Sequence, residues 1–195
     1  SEGAARPGLS AWRSPLLRAA VATQFFYVGA QVGIWSFFVD FVKEQMPATS
    51  ERNAAFLLSA SLFLFMVGRF AGAWLMTRVT PARLLLGFGI AAATLTGMAA
   101  LATGAAAVFA LTLTSLFMSI MFPTIFALGI ADLGEDSATG ASLLIMAIIG
   151  GAVFPPLMGL VSHGRGLQLA LLLPLLCFGV VMLFARMATK KDQPS

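Results

Sequence analysis

Charged residues are scarce in this sequence. Only 10% of its 195 residues are charged and 59% are hydrophobic, whereas soluble domains carry about 25% charged residues. The chain has one cysteine, Cys177, and one histidine, His163, which excludes an internal disulfide and a metal cluster built on these residue types. It also lacks a P-loop glycine pattern and a nucleophile elbow. We therefore expect a membrane protein that is not an enzyme and has no cofactor or metal.

Long hydrophobic runs are what the sequence has instead. About 20 helical residues cross the hydrocarbon core of a bilayer, whereas barrel strands are shorter and alternate in polarity. Six runs of sufficient length cover residues 16–42, 54–76, 84–102, 108–130, 141–160 and 167–184. We predict an all-α membrane protein: a cytoplasmic tail or interdomain segment at 1–15, a bundle of six transmembrane helices at 16–187, and a cytoplasmic tail at 188–195.

Lysine and arginine near the ends of the runs orient the chain, because they concentrate on the cytoplasmic side. One side carries Arg6, Arg13, Arg18, Arg78, Arg83, Arg186, Lys190 and Lys191. The other side carries Lys43, Arg52 and Arg165. The imbalance places both termini in the cytoplasm. These residues do not form a patch with interleaved aromatic residues, so we expect no nucleic-acid partner.

The first hydrophobic run carries amides and aromatic rings on one helical face. At about 100° per residue, this face contains Gln24, Tyr27, Gln31, Trp35 and Phe38. A buried amide without a hydrogen-bond partner costs roughly 2–7 kcal/mol, so the face must meet partners on another helix or water. Two interpretations are open: polar contact between helices, or one wall of an aqueous, sugar-sized cavity.

Proline and glycine interrupt the fourth and fifth runs. Pro123 lies in the fourth run, and Pro155 and Pro156 lie in the fifth, within GGAVFPPLMG. The fourth run also places polar and aromatic residues near one face: Thr112, Ser115, Ser119 and Phe126. A proline removes a backbone donor, and the carbonyl that it frees must find a partner in protein or in cavity water. A static bend or close packing fits this pattern, and so does a flexing gate.

Arginine occurs once inside a predicted span. Arg69 lies about 10 Å from the end of its helix, and an arginine at the bilayer centre costs at least about 2.5 kcal/mol. Its side chain should extend to the interface or meet a loop acid, namely Asp132, Glu135 or Asp136. Together with Arg78, these residues predict either a charge-paired latch on the cytoplasmic side or simple anchoring. No acid lies deep in any span, so the chain has no evident proton carrier of its own.

Two pairs of segments resemble each other along the chain. Residues 60–72, ASLFLFMVGRFAG, align with 141–153, ASLLIMAIIGGAV, and residues 25–35, FFYVGAQVGIW, align with 116–126, LFMSIMFPTIF. Each repeat would hold three helices, an odd number, which would invert the second copy in the membrane. The pattern favours a 3+3 inverted repeat, although apolar helices also resemble one another through composition alone.

Three stretches resemble a known transporter family. They are FYVGAQVGIWSFFVDFV at 26–42, VGRFAGAWLMTR at 67–78, and MSIMFPTIFALGIADLGEDSATGASLLIMAIIGGAVFPPLMGLVS at 118–162. They resemble the second half of the fucose permease family, the fucose, galactose and glucose:proton symporters of the major facilitator superfamily. GRFxGxxLxxR occurs in variants across the superfamily, whereas YVGAQxxxW together with MFPTIFxLGI is much more specific to this family.

The resemblance implies a fold, a function and a site. Family members have about twelve transmembrane helices in two halves, hold sugar between the halves, and work by alternating access in the bacterial inner membrane. This chain would supply helices seven to twelve, with a sugar, a proton, the N-terminal six-helix half and the bilayer as partners. Gln31 and Trp35 favour fucose within the family. The candidate substrate contacts are Tyr27, Gln31, Trp35, Ser119 and Met146. The candidate gating residues are Arg69, Arg78, Asp132, Glu135, Pro123, Pro155 and Pro156.

Two rival interpretations are open. A six-helix structural or assembly subunit without transport activity would pack the polar faces dry against a partner. A half-size transporter that acts as a dimer would need a carboxylate in its cavity, which this sequence lacks.

Overall fold

Helices make up nearly all of residues 11–191, the part of the chain that the computed structural model describes. Ten α-helices follow one another there: α1 Pro15–Ser36, α2 Phe38–Gln45, α3 Glu51–Leu75, α4 Pro81–Leu101, α5 Gly104–Met118, α6 Met121–Ile130, α7 Ser137–Met146, α8 Gly150–Ser162, α9 Leu167–Ala170 and α10 Leu172–Lys191. Three short 3-10 helices accompany them: Ala11–Arg13, Gly134–Asp136 and Ala147–Ile149.

These helices form consecutive candidate membrane spans. Span 1 is α1 with α2, which are bent by 51° relative to each other. Span 2 is α3, span 3 is α4, and span 4 is α5 with α6. Span 5 runs over Gly134–Ser162 and span 6 over Leu167–Lys191. The described residues therefore contain five candidate spans, or six when the bent pair counts as one, as expected for the predicted all-helical membrane protein.

Local sequence explains where several helices begin. The Ser14 hydroxyl accepts a hydrogen bond from the Leu17 backbone N–H at 3.3 Å, and the Ser50 hydroxyl accepts one from that of Asn53 at 3.3 Å. A side-chain oxygen at this position satisfies a donor that the first helical turn leaves unpaired. Gly104 starts span 4 with a φ of +63°, which favours glycine because it has no Cβ. Spans 3 and 4 can thus be joined by a very short turn.

Span 1 lies at the centre of the bundle. Its helix α1 packs against α6, α8 and α10, while α5 packs against α3 and α4. The largest fully buried side chains include Tyr27, Phe38, Phe41 and Phe178. Spans 2 and 5 are the least covered, because only 17% and 28% of their most apolar segments are buried, against 61% for span 4. Both spans keep a large apolar surface open on the outside of the bundle.

The bundle extends past both predicted boundaries with the tails. Ala11, assigned to the N-terminal segment, is 1% exposed and belongs to the core. At the other end α10 continues to Lys191, because the sequence ARMATKK at 185–191 consists mostly of good helix formers. Hydropathy therefore falls before the helix ends. The remainder of the predicted tails, residues 1–10 and 192–195, lies outside the described residues.

Candidate substrate-facing site

Side chains from three spans meet where span 1 faces spans 2 and 4. The Trp35 indole Nε1 donates to the Ser115 hydroxyl at 3.1 Å, and the hydroxyls of Ser115 and Ser61 are 2.6 Å apart. The Trp35 ring contacts the Phe65 ring edge-on, with 5.0 Å between centroids. Both serines are buried, whereas Trp35 is half-buried. We name these four residues, Trp35, Ser61, Phe65 and Ser115, the tryptophan cluster.

Gln31 lies one helical turn before Trp35 on α1 and is also half-buried. A half-exposed amide can satisfy its donors and its acceptor oxygen outside the chain. Gln31 and Trp35 are thus the two members of the predicted polar face that remain accessible.

Tyr27 lies inside the bundle. Its side chain is fully buried, and its hydroxyl donates to the Met118 carbonyl at 2.8 Å. In this structure Tyr27, predicted as a sugar contact, ties span 1 to span 4. The physical reason is helix rotation. Gln31 and Trp35 follow Tyr27 by four and eight residues, which is slightly more than one and two full turns, so they are rotated about 40° and 80° from Tyr27 around the helix axis. The predicted face therefore winds from the interior at Tyr27 to the open side at Gln31 and Trp35.

Gln24, at the inner end of the same face, is fully buried. Neither its Oε1 nor its Nε2 has a hydrogen-bond partner among the described residues. Of the two kinds of partner expected for this face, another helix or water, the described residues supply none from a helix for Gln24.

Two further predicted sugar contacts are not part of the tryptophan cluster. Ser119 is buried, and its hydroxyl donates to the Leu116 carbonyl at 2.6 Å, within its own helix end. Met146 is 69% exposed at the end of α7. It borders a separate groove of about 530 Å³ whose lining includes neither Gln31 nor Trp35 but does include Trp12, Phe25 and Phe26.

The Arg69 guanidinium points back along α3, away from the C-terminal end of that helix. It stacks on Phe65, one turn earlier in α3, with 5.1 Å from Cζ to the ring centroid, and its Nε donates to the Ser119 carbonyl at 3.3 Å. Phe65 precedes Leu75, the end of α3, by about 15 Å, half the thickness of a hydrocarbon core of about 30 Å. The side chain thus runs away from the end of α3 rather than toward it, and it does not pair with a loop acid as one of the two predictions required. Among the described residues no ion pair involves this guanidinium.

The residues of the predicted charge latch do not pair with one another here. Arg78 lies in the turn after α3, and its guanidinium stacks on Trp74 of that helix, with 4.7 Å from Cζ to the ring centroid. Asp132 forms an ion pair with Lys191 at the end of span 6, while Glu135 is exposed in a 3-10 helix. The loop acids follow span 4 and meet the end of span 6, whereas the side chain of Arg78 folds back along span 2.

The three predicted hinge prolines occupy different local structures. Pro123 lies in the first turn of α6, directly after the break that separates it from α5 at residues 119–120. In span 5, α8 continues through Pro155 and Pro156. The interruption of that span is the 3-10 helix Ala147–Ile149, so it precedes the prolines rather than coinciding with them. A gating role for these prolines stays a prediction.

Comparison with known proteins finds relatives along most of the chain. The L-fucose-proton symporter of Escherichia coli (strain K12) is 44% identical over 170 residues, which cover 87% of this chain and 39% of that protein. A putative glucose/galactose transporter of Helicobacter pylori (strain J99) is 35% identical over 179 residues, which cover 88% of this chain and 43% of that protein. The crystal structure of the E. coli fucose:proton symporter FucP matches 100% of this chain and 48% of its own, with a TM-score of 0.92 and 39% identity. No family model matches the sequence.

The chain belongs to this family of major facilitator sugar transporters. It spans less than half the length of the relatives that it matches and corresponds to their C-terminal half. It is a multi-pass bacterial membrane protein, and its relatives are transporters rather than enzymes. A non-transporting subunit finds no support among them.

The sequence analysis missed two residues of the tryptophan cluster, Ser61 and Phe65. Ser61 is a polar residue inside an apolar run, ASLFLF, and that signal was available. Phe65 is one of 17 phenylalanines, so only its contact with Trp35 distinguishes it.

Proposed function

We propose that this chain is the C-terminal half of a secondary sugar:proton symporter for L-fucose or a related hexose, working by alternating access. One observation carries the proposal: 44% identity across 87% of the chain with a protein named L-fucose-proton symporter. The identity of 35% with a putative glucose/galactose transporter keeps other hexoses within the proposed substrate class.

The proposed partner is an N-terminal six-helix half. The relatives are more than twice as long as the part that matches, so each has room for a second bundle of similar size. Spans 2 and 5 support this proposal, because they expose large apolar side chains and are the least buried among spans 2–6. We place the other half along these two spans, with lipid around the remaining surface.

We place the sugar against Gln31 and Trp35. The half-buried indole offers a flat face for the apolar side of a sugar ring, and the amide can bind hydroxyls. The other members of the tryptophan cluster hold the indole through its N–H and its edge, so less ordering is needed when the sugar binds. In this proposal Tyr27 and Ser119 act from the interior, and Met146 has no sugar contact.

We also propose that spans 1–3 and spans 4–6 are inverted copies. Helix packing supports this, because span 1 packs on spans 5 and 6 as span 4 packs on spans 2 and 3. Two close contacts lie near equivalent positions: a Cβ on Gly68 would lie 2.3 Å from the Leu116 carbonyl oxygen, and one on Gly150, one position beyond the residue that aligns with Gly68, would lie 2.0 Å from that of Phe25. Leu116 and Phe25 are equivalent in the alignment of 116–126 with 25–35.

The location of the acids assigns the proton to the other half in this proposal. No aspartate or glutamate lies deep in a hydrophobic run of this chain, and a buried titratable group is the usual proton carrier in a transporter. The excess of basic residues at one side of the bundle supports cytoplasmic termini in the bacterial inner membrane, with cytoplasmic segments near 1–15 and 188–195.

Uptake into vesicles tests the proposal. The complete transporter, meaning this chain paired with its N-terminal half, is compared with each half alone. We expect it to accumulate radiolabelled L-fucose under an inward proton gradient, more than D-galactose or D-glucose, and to lose accumulation when a protonophore collapses the gradient.

Each half inserted alone is the matched control and should show no uptake. Uptake by this chain alone would contradict the assignment of the proton to the other half. A correctly inserted complete transporter that accumulates none of the three sugars would contradict the proposed substrate class.

A further inference from the structure

The break between α5 and α6 frees backbone carbonyls in the apolar interior of span 4. Three carbonyls around the break have a donor: Leu116 accepts from the Ser119 hydroxyl at 2.6 Å, Met118 from the Tyr27 hydroxyl at 2.8 Å, and Ile120 from the Thr124 backbone N–H at 3.1 Å. An unpaired backbone group in hydrocarbon is strongly unfavourable. The break is thus stabilised by donors from several spans.

Pro123 accounts for one of these free carbonyls. In an α-helix the N–H of residue 123 would donate to the carbonyl of residue 119, four positions earlier, but proline has no N–H. The Ser119 carbonyl accepts instead from the Arg69 guanidinium Nε of span 2, at 3.3 Å. The arginine supplies the donor that the proline lacks.

Two glycines allow this contact. A Cβ on Gly68 would lie 2.3 Å from the Leu116 carbonyl oxygen, and one on Gly72 would lie 2.1 Å from Ile120 Cγ2. Small residues four apart let two helices approach closely in a membrane. They bring α3 against the break, so that Arg69, directly after Gly68, reaches the Ser119 carbonyl.

The other half of the proposed repeat lacks both partners. Val32 is equivalent to Pro123 in the alignment of 25–35 with 116–126, and it lies within the uninterrupted helix α1. The position equivalent to Arg69, in the alignment of 60–72 with 141–153, is Gly150. Span 1 keeps a backbone N–H at Val32, and span 5, which is equivalent to span 2, has Gly150 instead of an arginine.

We propose that Arg69 is the substitute backbone donor for the proline-interrupted fourth span, a positioning residue that acts through the Ser119 carbonyl rather than through a carboxylate. This role explains how a guanidinium is retained near the middle of the membrane without an acid among the described residues. It also couples spans 2 and 4, because any motion that separates α3 from the break must release this hydrogen bond. The inference depends on the contact itself and not on which sugar is carried.

A double-mutant cycle on thermal unfolding of the complete transporter tests the proposal. Arg69→Met keeps the apolar stem over Phe65 but removes every donor. In the parent protein it should lower the midpoint by about 2–3 °C, because the transition of so large a protein has a high entropy of unfolding. Pro123→Ala restores the backbone N–H, so in that background Arg69→Met should lower the midpoint by less than half as much. An equal loss in both backgrounds would overturn the proposal.

Two further variants separate the hydrogen bond from the charge. Arg69→Gln keeps an N–H donor without a charge and should restore part of the lost stability, whereas a role as a charge partner predicts restoration by Arg69→Lys alone. Arg52→Met is the matched control, because Arg52 also stacks on a phenylalanine of α3, Phe56. Its effect should be the same with Pro123 and with Ala at that position.

If Arg69→Met does not accumulate in membranes, the amount of folded protein becomes the measurement. Recovery of that amount on adding Pro123→Ala supports the substitute-donor role. Lack of recovery overturns it, whatever the transport activity turns out to be.

Discussion

At the scale of single residues, two glutamines on one helix have different environments. Gln24 and Gln31 are seven residues apart and belong to the same predicted polar face of α1. Gln24 is fully buried with both polar atoms unpaired among the described residues, whereas Gln31 is half-exposed. Because span 1 crosses the centre of the bundle, the inner end of its polar face is covered by other spans and the middle is not.

Replacement of each glutamine by methionine should therefore have opposite effects. Gln24→Met removes unpaired polar atoms and keeps the volume, so we expect thermal stability to rise by about 1–3 kcal/mol with unchanged sugar affinity. Gln31→Met should weaken sugar binding about tenfold, the equivalent of one good hydrogen bond, with little change in stability. Sugar binding and thermal unfolding of the complete transporter measure both effects. Weaker sugar binding in Gln24→Met together with unchanged binding in Gln31→Met would contradict the proposed sugar site.

At the scale of helices, contact between spans 2 and 4 depends on backbone approach. Gly68 and Gly72 bring α3 against the α5–α6 break, and Ser61 joins the same two spans through Ser115. Gly97, near the C-terminal end of α4, has no such contact, because no neighbouring atom lies within 4 Å of a Cβ built on it. The same residue type thus has a packing role at one position and none at the other.

Alanine substitution at these two glycines should separate the roles. At Gly68 the added methyl group meets backbone rather than a movable side chain, so Gly68→Ala should destabilise the complete transporter by about 1–3 kcal/mol. Gly97→Ala should be neutral or stabilising by up to about 1 kcal/mol, because alanine favours helix. Denaturation in detergent measures the difference, and similar results at both positions would contradict the close approach.

At the scale of the whole molecule, coverage is uneven. Spans 2 and 5 expose most of their apolar length, whereas span 4 is largely buried. A single bundle in lipid has no hydrophobic requirement for covering one apolar helix more than another, since lipid tails are as apolar as leucine. The uneven coverage fits a chain whose relatives continue into a second half.

Cysteine labelling can test where the other half sits. Met66 of span 2 and Met187 of span 6 are similarly exposed, at 48% and 40%. After replacement of the buried Cys177 by alanine, Met66→Cys should react with a membrane-permeant maleimide in the chain alone but be protected in the complete transporter. Met187→Cys should react equally in both. If neither cysteine is protected in the complete transporter, or if only Met187→Cys is protected, the other half does not pack along span 2.

The sequence by itself determined the all-helical membrane class and the family, and it located the apolar runs that form the five or six candidate spans. These properties follow from hydropathy and from motifs, which are local along the chain. It also singled out Arg69 and Pro123, because a charge and a missing donor in an apolar run each require a partner.

The tertiary structure decided which groups meet. Sequence reasoning sought separate partners for Arg69 and for the carbonyl freed by Pro123, and the structure joins the two in one hydrogen bond. It also turned Tyr27 inward and paired Asp132 with Lys191 instead of an arginine of span 2. Such contacts join residues that are about 50–90 positions apart, and helix rotation and crossing set them, neither of which hydropathy or residue spacing specifies.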